Sequence, residues 1–360
     1  MSRASLRTLS AAVTMMSGRR PVRAMSIAAA ALSGRASLSG RTALSGRAPL
    51  CAMLIAITAL TSARAIAGES SPAALPPIAS PLPPPPDKTP RATVMLADYR
   101  YDDLLWENDK TAHRIYGHAL EAAEPPSGSG IDSWGKNVTW PFMDRQLRTG
   151  DQHAYHGEGI DFYNVGTGRG AGGLGIWHDN KLWTSRNYRS FKILRSGGEI
   201  AEFDVDYAPW PVDVERRVWE KRRFALPLGT HFTRMTSTIQ SDKPDALIVG
   251  IGIGKRTTGD GGELTVDRPH GVLSWWGPED KGHGRMAVAM RVDPAMIVDI
   301  RSDADNQLVL LRVTPGKPFV YYSGSAWNLG EGEFHDRAAW DRYAAQAAVD
   351  FRPSLNPRSP

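Results

Sequence analysis

One glycine-rich stretch organises the sequence: Tyr155–Trp177, which reads YHGEGIDFYNVGTGRGAGGLGIW. It places an imidazole and two carboxylates within a few residues and then follows them with six glycines. Glycine is costly to order, so a segment this rich in it usually serves positive φ angles or a close approach of the main chain to another group. Imidazole and carboxylate groups are the usual materials of proton transfer. The stretch therefore predicts one wall of a small-molecule site, with a sugar as the expected ligand.

The candidate catalytic residues are the polar side chains at the start of this stretch: Tyr155, His156, Glu158 and Asp161. In an extended segment His156 and Glu158 point to the same face, because side chains alternate along a strand. Asp161 falls on the opposite face unless the chain turns at Gly159. A His–Glu pair can remove a proton from a sugar and return one. The structural alternatives are an Asp161 that caps a turn and a His156 that packs against an aromatic ring.

Two other chemistries compete for the same stretch. His153, His156, Glu158 and Asp161 are suitable ligand types for a divalent cation, but their spacing matches no recognised metal pattern. We therefore predict no metal and no cofactor, with a divalent cation as the alternative. The glycines at 166–173 lack the lysine of a phosphate-binding loop, so close packing of strands explains them better.

Further side chains are candidates for binding the substrate. Arginines can pair with an anionic sugar, although a surface ion pair is the alternative for Arg114. Tryptophans can stack on the apolar face of a pyranose ring. The Trp275–Trp276 pair is favoured, because neighbours in a strand cannot both enter the same core. The substrate-binding candidates are His113, Arg114, Trp134, Arg169, Trp275 and Trp276.

The first 67 residues read as an export signal with a long basic n-region. They hold nine arginines and no lysine, aspartate or glutamate, so their removal takes the formal net charge from +5 to −4. The apolar run Leu50–Leu60 is shorter than the about 20 residues of a membrane span. Small-residue cleavage signatures follow at Ala63–Ala67. We expect a periplasmic or secreted protein with no nucleic-acid partner and no stable membrane insertion after cleavage; an uncleaved anchor is the alternative.

The only cysteine, Cys51, lies inside that apolar run. The mature chain therefore has no disulfide and no thiol nucleophile. Residues 68–92 form a proline-rich linker that we expect to be loosely attached. Residues 93–351 are predicted to form one domain, and residues 352–360 a tail.

After Trp177 the sequence breaks into short β-like segments bounded by turn residues. Ten such segments at this spacing predict a mainly β fold, a large antiparallel sandwich or supersandwich. A closing helix is predicted over His335–Val349, and a strand over Thr111–Gly117. The ten segments are Phe191–Leu194, Ile200–Tyr207, Val214–Phe224, His231–Ile239, Ala246–Ile253, Gly271–Trp276, Met286–Val292, Ile297–Ile300, Leu308–Val313 and Phe319–Tyr322.

Several blocks of the sequence resemble the bacterial DUF4861 family. In chain order they are Trp106–Asp109, His113–Gly117, Gly130–Trp134, His156–Gly175 and Tyr321–Trp327, followed by the helix around Trp340. The resemblance covers nearly all of the mature chain. It implies an exported protein of polysaccharide-utilising bacteria, similar to the galactose-mutarotase-like supersandwich proteins and associated with pectin and uronic-acid breakdown. It carries over no catalytic residue, and His156-Gly157 departs from the expected pattern, which has an acidic residue between the two.

These observations together predict a carbohydrate-active enzyme that processes uronic-acid-containing, pectin-type oligosaccharides by elimination, hydrolysis or epimerisation. His156 and Glu158 are the predicted acid–base pair, and Arg169 and Arg114 the predicted carboxylate holders. Two alternatives stay open: a non-catalytic glycan-binding module with a tryptophan platform, and a structural envelope protein. The sugar, its linkage and the oligomeric state are left open by the sequence.

Overall fold

The computed structural model describes residues 74–256, 261–330 and 334–353. The described residues form eighteen strands and three α-helices. The helices are α1 (Leu120–Ala123), α2 (Met143–Leu147) and α3 (Arg337–Gln346). The strands are β1 (Thr93–Ala97), β2 (Asp103–Glu107), β3 (Ala112–Ile115), β4 (Asp132–Lys136), β5 (Gly159–Tyr163), β6 (Ala171–His178), β7 (Lys181–Trp183), β8 (Ser190–Arg195), β9 (Ile200–Pro211), β10 (Arg217–Pro227), β11 (Phe232–Ser241), β12 (Leu247–Gly254), β13 (Glu263–Asp267), β14 (Val272–Trp276), β15 (Met286–Val292), β16 (Ile297–Ser302), β17 (Asn306–Val313) and β18 (Pro318–Trp327).

The strands form three sheets in which every named pair is antiparallel. The first is a five-stranded meander in the order β1-β2-β3-β4-β5. The second has eight strands in the order β13-β14-β15-β18-β11-β10-β9-β8, and the third has five in the order β16-β17-β12-β6-β7. The prediction of a mainly β, antiparallel fold closed by a C-terminal helix is confirmed.

Apolar side chains from all three sheets meet in one core. Leu104 of β2, Phe203 of β9, Phe224 of β10, Ile251 of β12 and Val309 of β17 all belong to it. Along β10 buried and exposed residues alternate, which is the pattern of a strand with one face on a core. Removing this much apolar surface from water is the main force that holds the sheets together.

The outer face of the eight-stranded sheet is covered by α3. Trp340 and Ala344 of the helix pack on Phe232 and Tyr322 of the sheet. Asp336 begins the helix by accepting a hydrogen bond from the Ala339 amide at 2.8 Å. The helix ends at Gln346, three residues before the predicted Val349. Among the described residues, no helix is both long and apolar enough to cross a membrane.

The ten predicted strand segments all correspond to observed strands, with ends that differ by a few residues. Strands β7 and β13, which also follow Trp177, have no counterpart among them. The β13 sequence, ELTVD, alternates polar and apolar residues, but the strand lies at the sheet edge with no buried position.

The glycines of β6 serve close packing. Gly172 has φ of +97°, and a Cβ there would lie 2.5 Å from the Cβ of Ser323 in β18. Ser323 donates a hydrogen bond to the Ala171 carbonyl at 2.8 Å, so the third sheet approaches the second directly at this point. Gly252 of β12 leaves room for the side chain of Arg169, 2.9 Å from the position of an added Cβ. Gly172 therefore lets two sheets approach each other closely, and Gly252 makes room for a buried side chain.

The proline-rich segment lies against the domain. The Ala79 amide donates to the Tyr155 carbonyl at 2.9 Å, and Arg145 donates to the Pro83 carbonyl at 2.8 Å. The Lys88 ammonium lies 4.7 Å from the centre of the Trp140 ring. These contacts correct the expectation of a loosely attached spacer for residues 79–88, because proline carbonyls remain free to accept hydrogen bonds from the domain.

Candidate functional site

Four consecutive strands of the first sheet bring charged side chains to one place. Arg114 on β3 stands directly opposite Asp132 on β4 in the strand register. Asp103 comes from β2 and Asp161 from β5, so each strand contributes one residue. We call Asp103, Arg114, Asp132 and Asp161 the Arg114 cluster.

The guanidinium of Arg114 holds the cluster together. Its Nη2 donates to Asp132 Oδ2 at 2.6 Å and to Asp161 Oδ2 at 2.9 Å, and its Nε donates to Asp132 Oδ2 at 2.9 Å. Its Nη1 lies 3.7 Å from Asp103 Oδ2. One cation therefore faces three buried carboxyls, which is an excess of acid that favours proton uptake by at least one of them.

Burial and, after it, the charge of Asp132 raise the pKa of Asp161 to about 7 against the lowering effect of Arg114. Burial likewise raises the pKa of Asp103 to about 6, against the lowering effect of Arg114. Burial opposes the charge of Arg114, yet the surrounding carboxylates raise the pKa of that guanidinium well above its ordinary value. Arg114 thus stays a cation, and Asp161 is poised to hold a proton near neutral pH.

The cluster forms one wall of a cavity of about 290 Å³. The residues that line it are Arg114, Tyr116, Asp132, His153, Asp161, Phe162, Tyr163 and Asn164. Asp103 lies behind the wall and does not line the cavity. The lining therefore offers two carboxyl groups, one of them with a raised pKa, and an imidazole to a bound molecule.

His153 is the exposed base of this cavity, with 70% of its side chain accessible. Its Nδ1 lies 2.7 Å from the Asp161 carbonyl, which can only accept, so Nδ1 carries the proton. Its Nε2 lies 3.4 Å from the Gln152 amide nitrogen. A neutral ring in this tautomer keeps its lone pair on Nε2, which is the arrangement of a histidine general base.

The predicted acid–base pair lies elsewhere. His156 is buried, with Nδ1 2.7 Å from the Ser80 carbonyl and Nε2 2.9 Å from the Asp151 carbonyl. Glu158 accepts hydrogen bonds from Arg145 and, at 3.0 Å, from Trp140. Neither residue lines the cavity. The same-face argument failed because β5 begins only at Gly159, so the two residues precede the strand.

Tyr155 also has a structural position. It is buried, and its hydroxyl donates to the Gly157 carbonyl at 3.1 Å and accepts from Asn137 at 3.1 Å. Its ring packs 5.8 Å from that of Trp327. Of the four predicted catalytic residues, the structure brings only Asp161 to the cavity.

Two of the predicted substrate contacts are core residues. Arg169 is 3% exposed and donates to Ser129 Oγ at 3.1 Å, and its burial lowers its pKa to about 10. His113 points to the face of β3 opposite Arg114, where it stacks on Trp106 at 5.3 Å. Burial lowers the pKa of His113 to about 3, so it is a neutral core histidine.

The predicted tryptophan platform is buried on both faces of its sheet. Trp275 belongs to the core between the sheets, and Trp276 packs in the cluster under α3. Neighbours in a strand do face opposite ways, as expected, but both faces of this sheet are covered. Trp134 is buried as well; it supports the site from behind by donating to Asp132 Oδ2 at 3.2 Å.

The four residues considered as metal ligands do not converge. Within residues 74–256, 261–330 and 334–353, no group of three or more His, Cys, Asp or Glu side chains is arranged to hold a metal ion. In the cavity the centre of the carboxyl cluster is taken by the guanidinium of Arg114. Sequence reasoning missed Asp132 and Tyr116, although strand alternation places Tyr116 on the same face as Arg114.

Comparisons with known proteins give a family and distant likenesses. A family model described as "Domain of unknown function (DUF4861)" matches residues 57–355. "Uncharacterized protein P7" of Formosa agariphila is 30% identical over 273 residues, which is 71% of this chain. The chain spans 66% of that relative's length.

Three solved structures align with part of this chain, and the chain spans about 40% of the length of each. The GH36 α-galactosidase AgaB of Geobacillus stearothermophilus aligns with a TM-score of 0.33 at 8% identity over 65% of this chain and 41% of its own. The galactosidase domain of the α-galactosidase-sucrose kinase AgaSK aligns with a TM-score of 0.32 at 8% identity over 65% of this chain and 42% of its own. The 4-α-glucanotransferase of Thermococcus litoralis aligns with a TM-score of 0.31 at 10% identity over 66% of this chain and 40% of its own. The family match extends over most of the sequence, and the chain therefore belongs to the DUF4861 family.

Proposed function

We propose that this protein is an enzyme that cleaves uronic-acid-containing oligosaccharides by β-elimination at the cavity beside the Arg114 cluster. One observation carries the proposal: Asp161, a buried carboxyl with a pKa raised to about 7, lines the same cavity as an exposed His153 imidazole. A carboxyl that can give a proton and an imidazole that can take one, both lining one cavity, are what acid–base catalysis of proton transfer requires.

The roles follow from the hydrogen bonds. His153 Nε2 takes the proton from C5 of the uronate, the C4–C5 double bond forms and the C4–O bond breaks, and Asp161 gives its proton to the departing oxygen. His153 is then protonated and Asp161 ionised, and exchange with water restores both. Asp132 already accepts from Ser133 N, Trp134 Nε1 and Arg114, so it holds Arg114 in place rather than acting as the base.

The choice of a uronate has its own physical reason. An imidazole can remove the C5 proton only when C5 carries a carboxyl group that can take up the charge of the carbanion, and neutral sugars lack that group. The uronate part of the proposal is supported by two cations beside the cavity, Lys255 and Arg256. With the export signal predicted from residues 1–67, the substrate would be met in the periplasm or outside the cell.

Turnover tests the proposal directly. The purified mature protein is incubated with oligogalacturonates and other uronic-acid oligosaccharides, and the ultraviolet absorbance of unsaturated uronates is followed together with product chromatography. Asp161→Asn should lower kcat by about 10²- to 10⁴-fold, the usual contribution of one acid–base group. The matched control Asp103→Asn, which alters a cluster carboxyl behind the cavity wall, should retain kcat within about tenfold.

The other outcomes separate the alternatives. Cleaved products without new absorbance would mean hydrolysis, which overturns the elimination step. Saccharide binding with no product under any condition would mean a glycan-binding module. An Asp161→Asn variant with wild-type kcat would remove Asp161 from the chemistry.

A further inference from the structure

A second cavity, of about 240 Å³, lies next to the first. Its wall includes the glycine-rich turn at 166–168 together with Lys255, Arg256 and Asp305. Asn164 lines both cavities. The first cavity alone falls just below the roughly 300–1,000 Å³ typical of small-molecule sites, and the two together lie within that range.

Arg256 connects the two cavities. Its Nη1 donates to the Asn164 carbonyl at 2.9 Å, and its guanidinium lies 4.4 Å from the centre of the Tyr163 ring. Tyr163 and Asn164 both line the first cavity. The guanidinium is therefore held at the boundary by two carbonyls, those of Asn164 and Phe162, and one ring, and its five N–H groups leave further donors for a ligand.

The two cations of this cavity are not neutralised within the part of the chain that the structure describes. Lys255 donates to a backbone carbonyl, that of Asp303, and Arg256 to the carbonyls of Asn164 and Phe162. The carboxyl at the wall, Asp305, accepts a hydrogen bond from Thr167 at 3.2 Å. Carbonyls satisfy donors without neutralising charge, and the two cations outnumber the single carboxyl at the wall, so the cavity favours an anion.

The geometry points to an anion-binding subsite at Lys255 and Arg256 that takes the acidic group of the sugar next to the one that reacts. This inference rests on the proposed function and deepens it: the substrate is an anionic oligosaccharide of at least two residues that spans both cavities. A planar guanidinium and an ammonium both suit a carboxylate, and they suit a sulfate ester equally. The shared chemistry is an oxyanion carried on a sugar ring.

Binding is measured by calorimetry with oligogalacturonate, and the Asp161→Asn protein is used so that turnover plays no part. Adding Lys255→Met and Arg256→Met should weaken binding by about 10- to 100-fold, as expected for the loss of hydrogen bonds to a charged group. The control pair Lys192→Met and Arg312→Met removes the same charge from exposed positions that line neither cavity, and it should change affinity less than threefold.

Two further probes identify the oxyanion. A fully methyl-esterified oligogalacturonide, which has no carboxylate, should bind the Lys255/Arg256 variant and its parent with equal affinity. A sulfated, otherwise neutral oligosaccharide that shows the same loss as oligogalacturonate would assign the subsite to sulfate esters as well. Unchanged oligogalacturonate affinity in the Lys255/Arg256 variant overturns the subsite while leaving the Asp161 chemistry standing. If the Lys255/Arg256 variant loses affinity as expected but the wild-type protein never turns over substrate, the subsite is supported and the proposed reaction is overturned.

Discussion

Two buried arginine–carboxylate groups of this protein have opposite surroundings. In the eight-stranded sheet, Arg222 donates through Nε and Nη2 to Glu220 at 2.7 Å each, and both side chains are fully buried. Ser237 adds a third donor to Glu220 at 2.7 Å. We call Glu220 and Arg222 the core pair. The Arg114 cluster is equally buried, but it sets three carboxyls around one guanidinium and opens onto a cavity.

The difference distinguishes a buried ion pair with a structural role from a buried cluster for which a catalytic role is proposed. The core pair balances one anion with one cation, and burial lowers the pKa of Arg222 while Glu220 raises it to a value above the ordinary one. No proton has reason to move there near neutral pH. In the Arg114 cluster burial, together with the neighbouring carboxyl of Asp132, raises the pKa of Asp161 to about 7. An unbalanced charge count beside a cavity is therefore the better sign of function.

The largest expected effect concerns the core pair. Arg222→Met leaves the Glu220 carboxylate buried without its cation, which should lower the free energy of unfolding by about 3–5 kcal/mol. Denaturant unfolding measures this. The double variant Arg222→Met/Glu220→Leu should recover most of the loss, because replacing both charges removes the unpaired group. A single variant as stable as the wild type would show that the core pair is not the sealed structural element described above.

The next effect is the pH dependence of the Arg114 cluster. The pKa of Asp161 is about 7 in the folded protein, against an ordinary value of 3.8, so the folded state holds more protons between these values. Its contribution to stability is therefore complete below about pH 4 and is lost as the pH rises through about 7, a change on the order of 2–4 kcal/mol.

The variant Asp161→Asn cannot titrate and should lack this loss. Melting temperatures between about pH 5 and 8 measure it: the wild type should fall relative to the variant as the pH rises. The Arg222 guanidinium of the core pair adds no such slope in this range, because it stays charged. Parallel curves for the wild type and Asp161→Asn would contradict the raised pKa.

The smallest expected effect concerns His156 in the glycine-rich stretch, where a substitution should change stability but not kcat. His156→Ala removes contacts to the Ser80 and Asp151 carbonyls and should cost about 1–2 kcal/mol of stability, with faster proteolysis of the proline-rich segment. Its kcat should match that of the wild type. His118→Ala, at a mostly exposed histidine, should change stability by less than about 0.5 kcal/mol. A kcat as low as that of Asp161→Asn would return His156 to the catalytic residues.

Much of the fold could be read from local patterns. Strands with one buried face, such as β10, are predicted by the alternation of polar and apolar residues. Helix α3 is predicted by the spacing of Trp340 and Ala344. The edge strand β13 was missed although its sequence, ELTVD, also alternates polar and apolar residues. The sequence also does not show which face of a sheet is covered by another element. Nothing in Trp275-Trp276 indicates that α3 packs over the ring of Trp276.

The residues of the candidate site also fall into those that the sequence could identify and those that it could not. Arg114 and Asp161 could be named from residue type and sequence context, since they carry the charges that sites use. Their partners could not, because the Arg114–Asp132 pairing depends on strand register and Asp161 arrives 29 positions after Asp132 along the chain. His156 and Glu158 both precede β5, which begins at Gly159, so the alternation of side chains along a strand does not apply to them.

The sequence by itself determined the β architecture and the C-terminal helix, because the periodicity of apolar residues is a local property of each segment. It also named two members of the site. Only the tertiary structure decided that Asp103, Asp132 and Asp161 share one guanidinium and that the glycines serve sheet packing. Charge balance and cavity access depend on how distant strands are aligned, and a one-residue change of register would have sent each of these side chains to the other face.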